Sequence, residues 1–200
     1  MSLRFAALVL AAGAGSRLGG GKLLARLDGR PLLQHVLDAV VVARPALTVV
    51  VLGRDADAIE AQIAWRGEMR VLNPDPSRGL ASSLKAGLAA LESADPAGDL
   101  EAALILLGDQ PRVRVSVIGE LLAAADGSDL PIVLPRYLGG GGSHPVLLRR
   151  VAWPLAARTD GDRGLGPIIA AHPDLVREIP VAGANPDVDT SADLAALTGE

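Results

Sequence analysis

Near its start the chain carries an apolar run, Phe5 to Leu10, that gives way at once to Ala11-Ala12-Gly13-Ala14-Gly15-Ser16-Arg17-Leu18-Gly19-Gly20-Gly21-Lys22. A short apolar run ended by glycine reads as a buried strand, so a glycine-rich, cationic loop is delivered to the strand's carboxyl end. Glycines let backbone N–H groups approach a ligand closely, and clustered N–H groups bind anions. Arg17 adds a planar fork and Lys22 a point charge. The ligand this combination suits is a polyphosphate.

Spacing decides between the loops that bind polyphosphates. A Walker A loop requires Gly-x4-Gly-Lys followed by Ser or Thr. Here Ser16 stands where the first glycine belongs and Leu23 follows Lys22, so that loop is excluded. A dinucleotide fingerprint requires G-x-G-x-x-G opening directly into a helix. Gly13, Gly15 and Gly19 are spaced one residue too wide, and the next helical pattern begins only near Pro31.

The remainder of the chain sets the frame around this loop. Short apolar runs at Phe5–Leu10, Leu47–Leu52, Met69–Asn73, Ala103–Leu107, Ile132–Pro135 and Val176–Val181 read as strands. Helical patterns occupy Pro31–Ala43, Asp57–Trp65, Gly79–Leu91, Val113–Ala125, Leu165–His172 and Ala192–Leu197, with Pro31 in a first turn and Ser191 as a cap. Strand–helix alternation predicts an α/β fold, a Rossmann-like three-layer open and mostly parallel sheet. Ligands of such sheets collect at the carboxyl ends of the strands. The stretch from Pro135 to Arg150, with four consecutive glycines, departs from the alternation and reads as a loop excursion. Two hundred residues suit a single domain, 1–200.

Composition removes several functional classes. Phe5, Trp65, Tyr137 and Trp153 are the only aromatic residues, too few for a stacking platform on single-stranded nucleic acid. The net charge of −4 is of the wrong sign for a nucleic-acid partner. There is no cysteine, hence no thiolate metal site or thiol nucleophile. No apolar run approaches the ~20 residues of a membrane span, and no leader pattern is present, so a cytoplasmic protein without a membrane partner is expected.

Two acidic segments complete the candidate site. The strand Ala103–Leu107 leads into Gly108-Asp109-Gln110-Pro111, which sets Asp109 at the same end of the sheet as the first loop. Near the C-terminus, Asp187-Val188-Asp189-Thr190-Ser191-Ala192-Asp193-Leu194 puts Asp187 and Asp189 on one side of an extended segment. Mg²⁺ is commonly held by one or two carboxylates together with substrate phosphates, which makes Asp109 a natural ligand. Turn chemistry accounts equally well for Asp109, and helix capping for Asp193 and Ser191.

Taken together, these segments resemble the nucleotidyltransferases related to the molybdenum-cofactor enzymes, most of all the cytidylyltransferase branch. The family loop L-A-[AG]-G-x-x-x-R-x-G-x-x-K is filled by Leu10, Ala11, Ala12, Gly13, Arg17, Gly19 and Lys22. G-D-Q-P and D-[IV]-D-T-x-x-D-L are matched at Asp109 and at Asp187–Leu194, and Gly79-Leu80-Ala81-Ser82-Ser83-Leu84 is similar to the family's turn into a helix. His144-Pro145-Val146-Leu147 and Gly161-Asp162-Arg163-Gly164 are similar to segments near the acceptor site. The chain departs from the branch at Gly141–Ser143, where a basic residue is common.

The resemblance implies a nucleotide-diphospho-sugar transferase type of fold and Mg²⁺-dependent nucleotidyl transfer, with Mn²⁺ able to replace Mg²⁺. It implies that Leu10, Ala11, Ala12, Gly13, Gly15, Arg17, Lys22, Gly79, Ser82 and Ser83 bind the nucleotide, and that Asp109 and Asp189 hold the metal. Arg17, Lys22 and Asp109 would carry the catalysis, and His144 would lie on the acceptor side. The expected substrates are a nucleoside triphosphate, with CTP favoured, and a molybdopterin-type acceptor. A molybdoenzyme or its chaperone would receive the product. Two alternatives stay open: an oxidoreductase acting on a dye-like organic substrate, and a binding protein that holds molybdenum cofactor without turnover.

Overall fold

In the computed structural model, which describes residues 3–13 and 21–198, the first strand is wholly buried. This strand, β1 (Phe5–Ala11), has no exposed residue. Its side chains alternate between two cores: Phe5, Ala7, Val9 and Ala11 join one, while Ala6, Leu8 and Leu10 join the other. Such a strand can lie only between two helical layers. It pairs in parallel with β4 (Leu47–Leu52) on one side and with β6 (Ala102–Leu107) on the other. A small antiparallel pair, β2 (Arg26–Leu27) and β3 (Arg30–Pro31), follows the glycine loop.

The sheet among the described residues has the order β5-β4-β1-β6-β8-β7-β9, with β5 (Met69–Leu72), β7 (Ile132–Tyr137), β8 (Val146–Arg149) and β9 (Val176–Val181). Every pairing is parallel except those of β8, which runs antiparallel to both neighbours. Helices α1 (Leu32–Ala43) and α4 (Val115–Asp126) bury Leu33, Val36, Leu37, Val117, Ile118 and Leu121 in the first core. Helices α3 (Leu80–Ala94), α5 (Trp153–Ala156) and α6 (Gly166–Ala171) cover the opposite face through Leu84, Leu88, Trp153 and Ile168. The expected three-layer, mostly parallel sheet is therefore present.

Besides β2, β3 and α5, which the sequence reading did not include, three elements differ from it. Strand β8 lies where a loop excursion was expected. Its four residues are too few to show a period, and its direction has no signature in sequence. Strand β7 runs on through Pro135 to Tyr137; β8 pairs only with Ile132 and Val133, so Pro135 lies where that side of the strand carries no ladder. Helix α2 is shorter than expected, Ala56–Glu60. Beyond it the turn tightens, with the Gln62 N–H donating to the Ile59 carbonyl at 3.1 Å.

The last helix, α7 (Ser191–Thr198), is capped by Thr190 rather than by Ser191. The Asp193 N–H donates to Thr190 Oγ1 at 3.2 Å, and Asp193 Oδ2 accepts the Thr190 N–H at 2.7 Å. This reciprocal pair is a capping box with aspartate in the acidic position. Asp193 Oδ2 also accepts the Asp189 N–H at 3.0 Å, which fixes the backbone of the acidic segment. Pro31 stands just before α1, in β3. Among the described residues no helix is long and apolar enough to cross a membrane.

Candidate active site

The parallel strands end on one side of the sheet, and a cavity of about 480 Å³ opens there. Leu10, Ala12 and Gly13 supply its floor from the end of β1, and Leu107 and Asp109 come from the end of β6. Pro76, Gly79, Leu80 and Ser83 form the wall at the start of α3, while Asp162, Asp187 and Asp189 complete the rim. Residues far apart in sequence thus meet where an open α/β sheet binds its ligand.

Alternation along β1 decides which loop residues face the cavity. Leu10 and Ala12 lie toward the α3 side, whereas the Ala11 side chain packs into the opposite core. Gly53, after β4, presses on this turn: a Cβ there would stand 2.6 Å from the Ala12 carbonyl oxygen. Gly15, Arg17 and Gly19 lie outside the described residues.

The two adjacent serines of α3 have separate surroundings. Ser83 is buried, lines the cavity and accepts a bond from Asn73 Nδ2 at 3.0 Å. Ser82 does not line this cavity; its hydroxyl donates to the Gly79 carbonyl at 2.7 Å and accepts from Asn73 Nδ2 at 2.8 Å. Gly79 has φ +84°, and a Cβ there would strike the Asp162 carboxylate and lie 2.5 Å from the Gly161 carbonyl carbon. The Ala81 N–H donates to the Gly161 carbonyl at 3.0 Å, so the 160–164 loop is seated directly on the start of α3.

Lys22 is the cation paired with the site's acids among the described residues. Its Nζ lies 2.6 Å from Asp109 Oδ2 and 2.6 Å from Asp189 Oδ1, with only a tenth of the side chain exposed. Burial acts to lower the Lys22 pKa, but the two carboxylates outweigh it and hold the group above its ordinary value. The Val188 N–H donates to the Asp109 carbonyl at 3.0 Å and so ties the strand-end turn to the C-terminal segment.

Asp187 enters the sequence reading through the D-[IV]-D-T motif and for sharing a side with Asp189, with no role of its own. It lies on the cavity rim, where burial raises its carboxyl pKa, helped by the charges of Asp109 and Asp189. Its Oδ1 accepts from Gln110 Nε2 at 2.7 Å. Gln110 Oε1 in turn accepts from Asn185 Nδ2 at 2.9 Å, and Asn185 Nδ2 also reaches the His144 carbonyl at 3.1 Å. Gln110, Asn185 and Asp162 were absent from the expected site. Their signals were the G-D-Q-P and G-D-x-G segments and, for Asn185, none.

His144 does not line the cavity. Its backbone carbonyl accepts from the Tyr137 hydroxyl at 3.1 Å as well as from Asn185, and burial lowers the imidazole pKa to about 4. The ring is therefore neutral at pH 7.

The donor set can be tested against a divalent cation. Asp109 Oδ1 is buried and has no hydrogen-bond partner among the described residues, although its partner oxygen holds Lys22. A buried carboxylate oxygen left orphaned is costly unless something binds it. Among the described residues no group of three or more His, Cys, Asp or Glu side chains forms a metal cage. Two carboxylates completed by phosphate oxygens are the usual arrangement for Mg²⁺, and these residues fit that arrangement.

Comparisons with known proteins show which proteins the chain and its fold are similar to. The MobA-like NTP transferase domain matches residues 7–176. The chain is 34% identical over 197 residues to nicotine blue oxidoreductase of Paenarthrobacter nicotinovorans, covering 92% of this chain and 91% of that protein. It is 36% identical over 165 residues to the bifunctional protein GlmU of Sphingopyxis alaskensis, covering 82% of this chain but 33% of that protein, so it spans about a third of that relative's length. The structure of Rv0371c from Mycobacterium tuberculosis H37Rv superposes with a TM-score of 0.87 at 30% identity over 100% of both chains. A complex of Rv0371c with manganese superposes at 0.82, with 27% identity over 98% of this chain and 99% of that one. On the match that spans most of its length, the chain belongs to the MobA-like NTP transferase family.

Proposed function

We propose that this protein is a Mg²⁺-dependent nucleotidyltransferase that moves CMP from CTP onto the phosphate of a molybdopterin-type acceptor. The observation that carries the reading is the convergence of Asp109 and Asp189 on Lys22 at the wall of a cavity that also contains Ala12, Gly13 and Ser83. The acceptor's phosphate oxygen attacks the α-phosphorus, the bond from that phosphorus to the bridging oxygen breaks, and pyrophosphate leaves. No side-chain nucleophile is needed, so the residues act by alignment and charge neutralisation.

Each residue then has a task. Backbone N–H groups of the Gly13–Gly19 loop and Arg17 take the β and γ phosphates. Lys22 answers the charge that develops at the α-phosphate. Ser83 bonds the base or ribose, and the Ala12 methyl narrows the base pocket. Asp109 and Asp189 hold the metal. Bound there with the triphosphate, a divalent cation supplies charge neutralisation at the phosphates and the attacking oxygen. The same reading takes the protein as cytoplasmic, handing its product to a molybdoenzyme or that enzyme's chaperone.

The test is to incubate the protein with each of the four triphosphates and Mg²⁺, with and without molybdenum cofactor, and to follow pyrophosphate. Release that requires both CTP and the cofactor is expected. One observation favours a second reading, oxidoreduction of a dye-like compound: the near full-length likeness to nicotine blue oxidoreductase. Visible absorbance of bound flavin, or oxidation of a nicotinamide cofactor without pyrophosphate release, would favour that reading instead.

A further inference from the structure

The two carboxylates assigned to the metal are already engaged. Lys22 Nζ stands 2.6 Å from an oxygen of each, a position an ammonium and a divalent cation cannot share. Bonds this short between charged partners are the strong kind, and the Lys22 side chain is mostly shielded from water that would weaken them. A metal ion approaching Asp109 and Asp189 therefore meets a competitor at Asp109 Oδ2 and Asp189 Oδ1 and, even at the unpartnered Asp109 Oδ1, the repulsion of a like charge close by.

The backbone beneath Lys22 is anchored. Lys22–Leu24 form a tight turn, the Leu24 N–H donates to the Gly21 carbonyl at 2.8 Å, and Leu23 is packed in the core. The ammonium can leave only by swinging on its four-carbon stem, which is flexible enough to do so. A triphosphate entering the cavity gives it another anion to face.

We propose that Lys22 is a resident counter-ion that keeps divalent metal off Asp109 and Asp189 in the nucleotide-free protein. The proposal rests on the nucleotidyl-transfer reading for the identity of the metal-holding acids. It makes metal and triphosphate arrive together, so that the empty site is not filled by a metal with nothing to act on. Asp187, held by Gln110 on the same rim, adds negative charge to the cavity but has no bond to Lys22. The barrier is therefore the ammonium itself.

Mn²⁺ binding to nucleotide-free protein, read from the electron paramagnetic resonance signal of free Mn²⁺ and by calorimetry, tests this directly. Wild type should bind weakly and Lys22→Met at least tenfold more tightly. Lys22→Arg, which keeps the charge, should stay close to wild type. Adding Asp109→Asn to Lys22→Met should remove the gain. Thermal unfolding checks that each variant is folded, and Lys22→Gln carries the same expectation should the Met variant prove unfolded. Equal Mn²⁺ affinity in wild type and the neutral variants overturns the proposal. Tighter Mn²⁺ binding without any pyrophosphate release by wild type would leave the exclusion standing and remove the proposed reaction. Pyrophosphate release with no gain in Mn²⁺ affinity would do the reverse.

Discussion

Gln110 Nε2 donates to Asp187 Oδ1 at 2.7 Å, joining the turn after β6 to an acidic segment almost eighty residues further along the chain. The carboxamide is buried and spends its oxygen on Asn185, so both of its ends are used.

Gln110→Leu leaves Asp187 and Asn185 without these partners and should destabilise the protein by about 1–3 kcal/mol. Gln110→Glu sets two carboxylates against each other and should cost at least as much. Combining Gln110→Glu with Asp187→Asn reverses donor and acceptor at constant charge and should recover stability. Urea unfolding of the three variants checks the bond. Recovery of stability without recovery of turnover would show that the charge at Asp187 is needed where it stands.

Asp109→Asn should lower turnover by about a hundredfold or more, the usual effect of removing a group that stabilises charge at the reacting centre. Its folding stability should change little, because Lys22 keeps its 2.6 Å pair with Asp189 and is not left without a counter-charge. Steady-state kinetics beside thermal unfolding separates the two. Unchanged turnover would remove Asp109 from the chemistry.

Gly79→Ala forces a Cβ into the 160–164 loop and places an L-residue at φ +84°. Strain of this kind costs about 1–3 kcal/mol. Because Gly79 and Asp162 both line the cavity, a raised KM for the nucleotide should accompany the lower Tm.

His144 gives the folded state a pH dependence. Its pKa falls from the ordinary 6.5 to about 4 on folding, so the unfolded chain binds its proton first. Between those values stability must rise with pH, being fully present above about 6.5 and lost as pH falls toward 4. Asp187, whose pKa is raised, works the other way above its unfolded value of 3.8. Urea midpoints measured from pH 4 to 7 should therefore rise, and His144→Gln should flatten the rise.

Ala12 sets its methyl in the cavity beneath a backbone already pressed by Gly53. Ala12→Gly should move the ratio of kcat/KM for CTP over GTP toward GTP, by up to about 1–3 kcal/mol. An unmoved ratio would show that base choice is made elsewhere.

Much of the fold was legible because β1, β4 and β6 are continuous apolar runs that only a sheet covered on both faces accommodates. Strand parity separates Ala11 from Leu10 and Ala12, but the sequence reading followed the motif and took all three as binding the nucleotide. Ser82 and Ser83 are neighbours in one motif, yet on a helix they point about 100° apart, and Asn73 bonds both. β8 stayed hidden because its four residues are too few to show a period and because it inserts between β7, just before it, and the distant β6. Asn185 carried no signal, since a buried amide is recognised only by what surrounds it.

The reversal of β8 has a consequence for how such a protein can change. In a parallel sheet only the segments that leave strands reach the ligand, but β8 begins at that edge, so the 138–145 segment enters and departs there without crossing the molecule. A chain can lengthen, shorten or recharge that segment while β1, β4 and β6 keep their register. Among the described residues the cavity is lined from β1, β6, the start of α3, the 160–164 loop and the two acidic segments, and by nothing on β7, β8 or β9, so that lining can stay fixed while the edge beside it diverges.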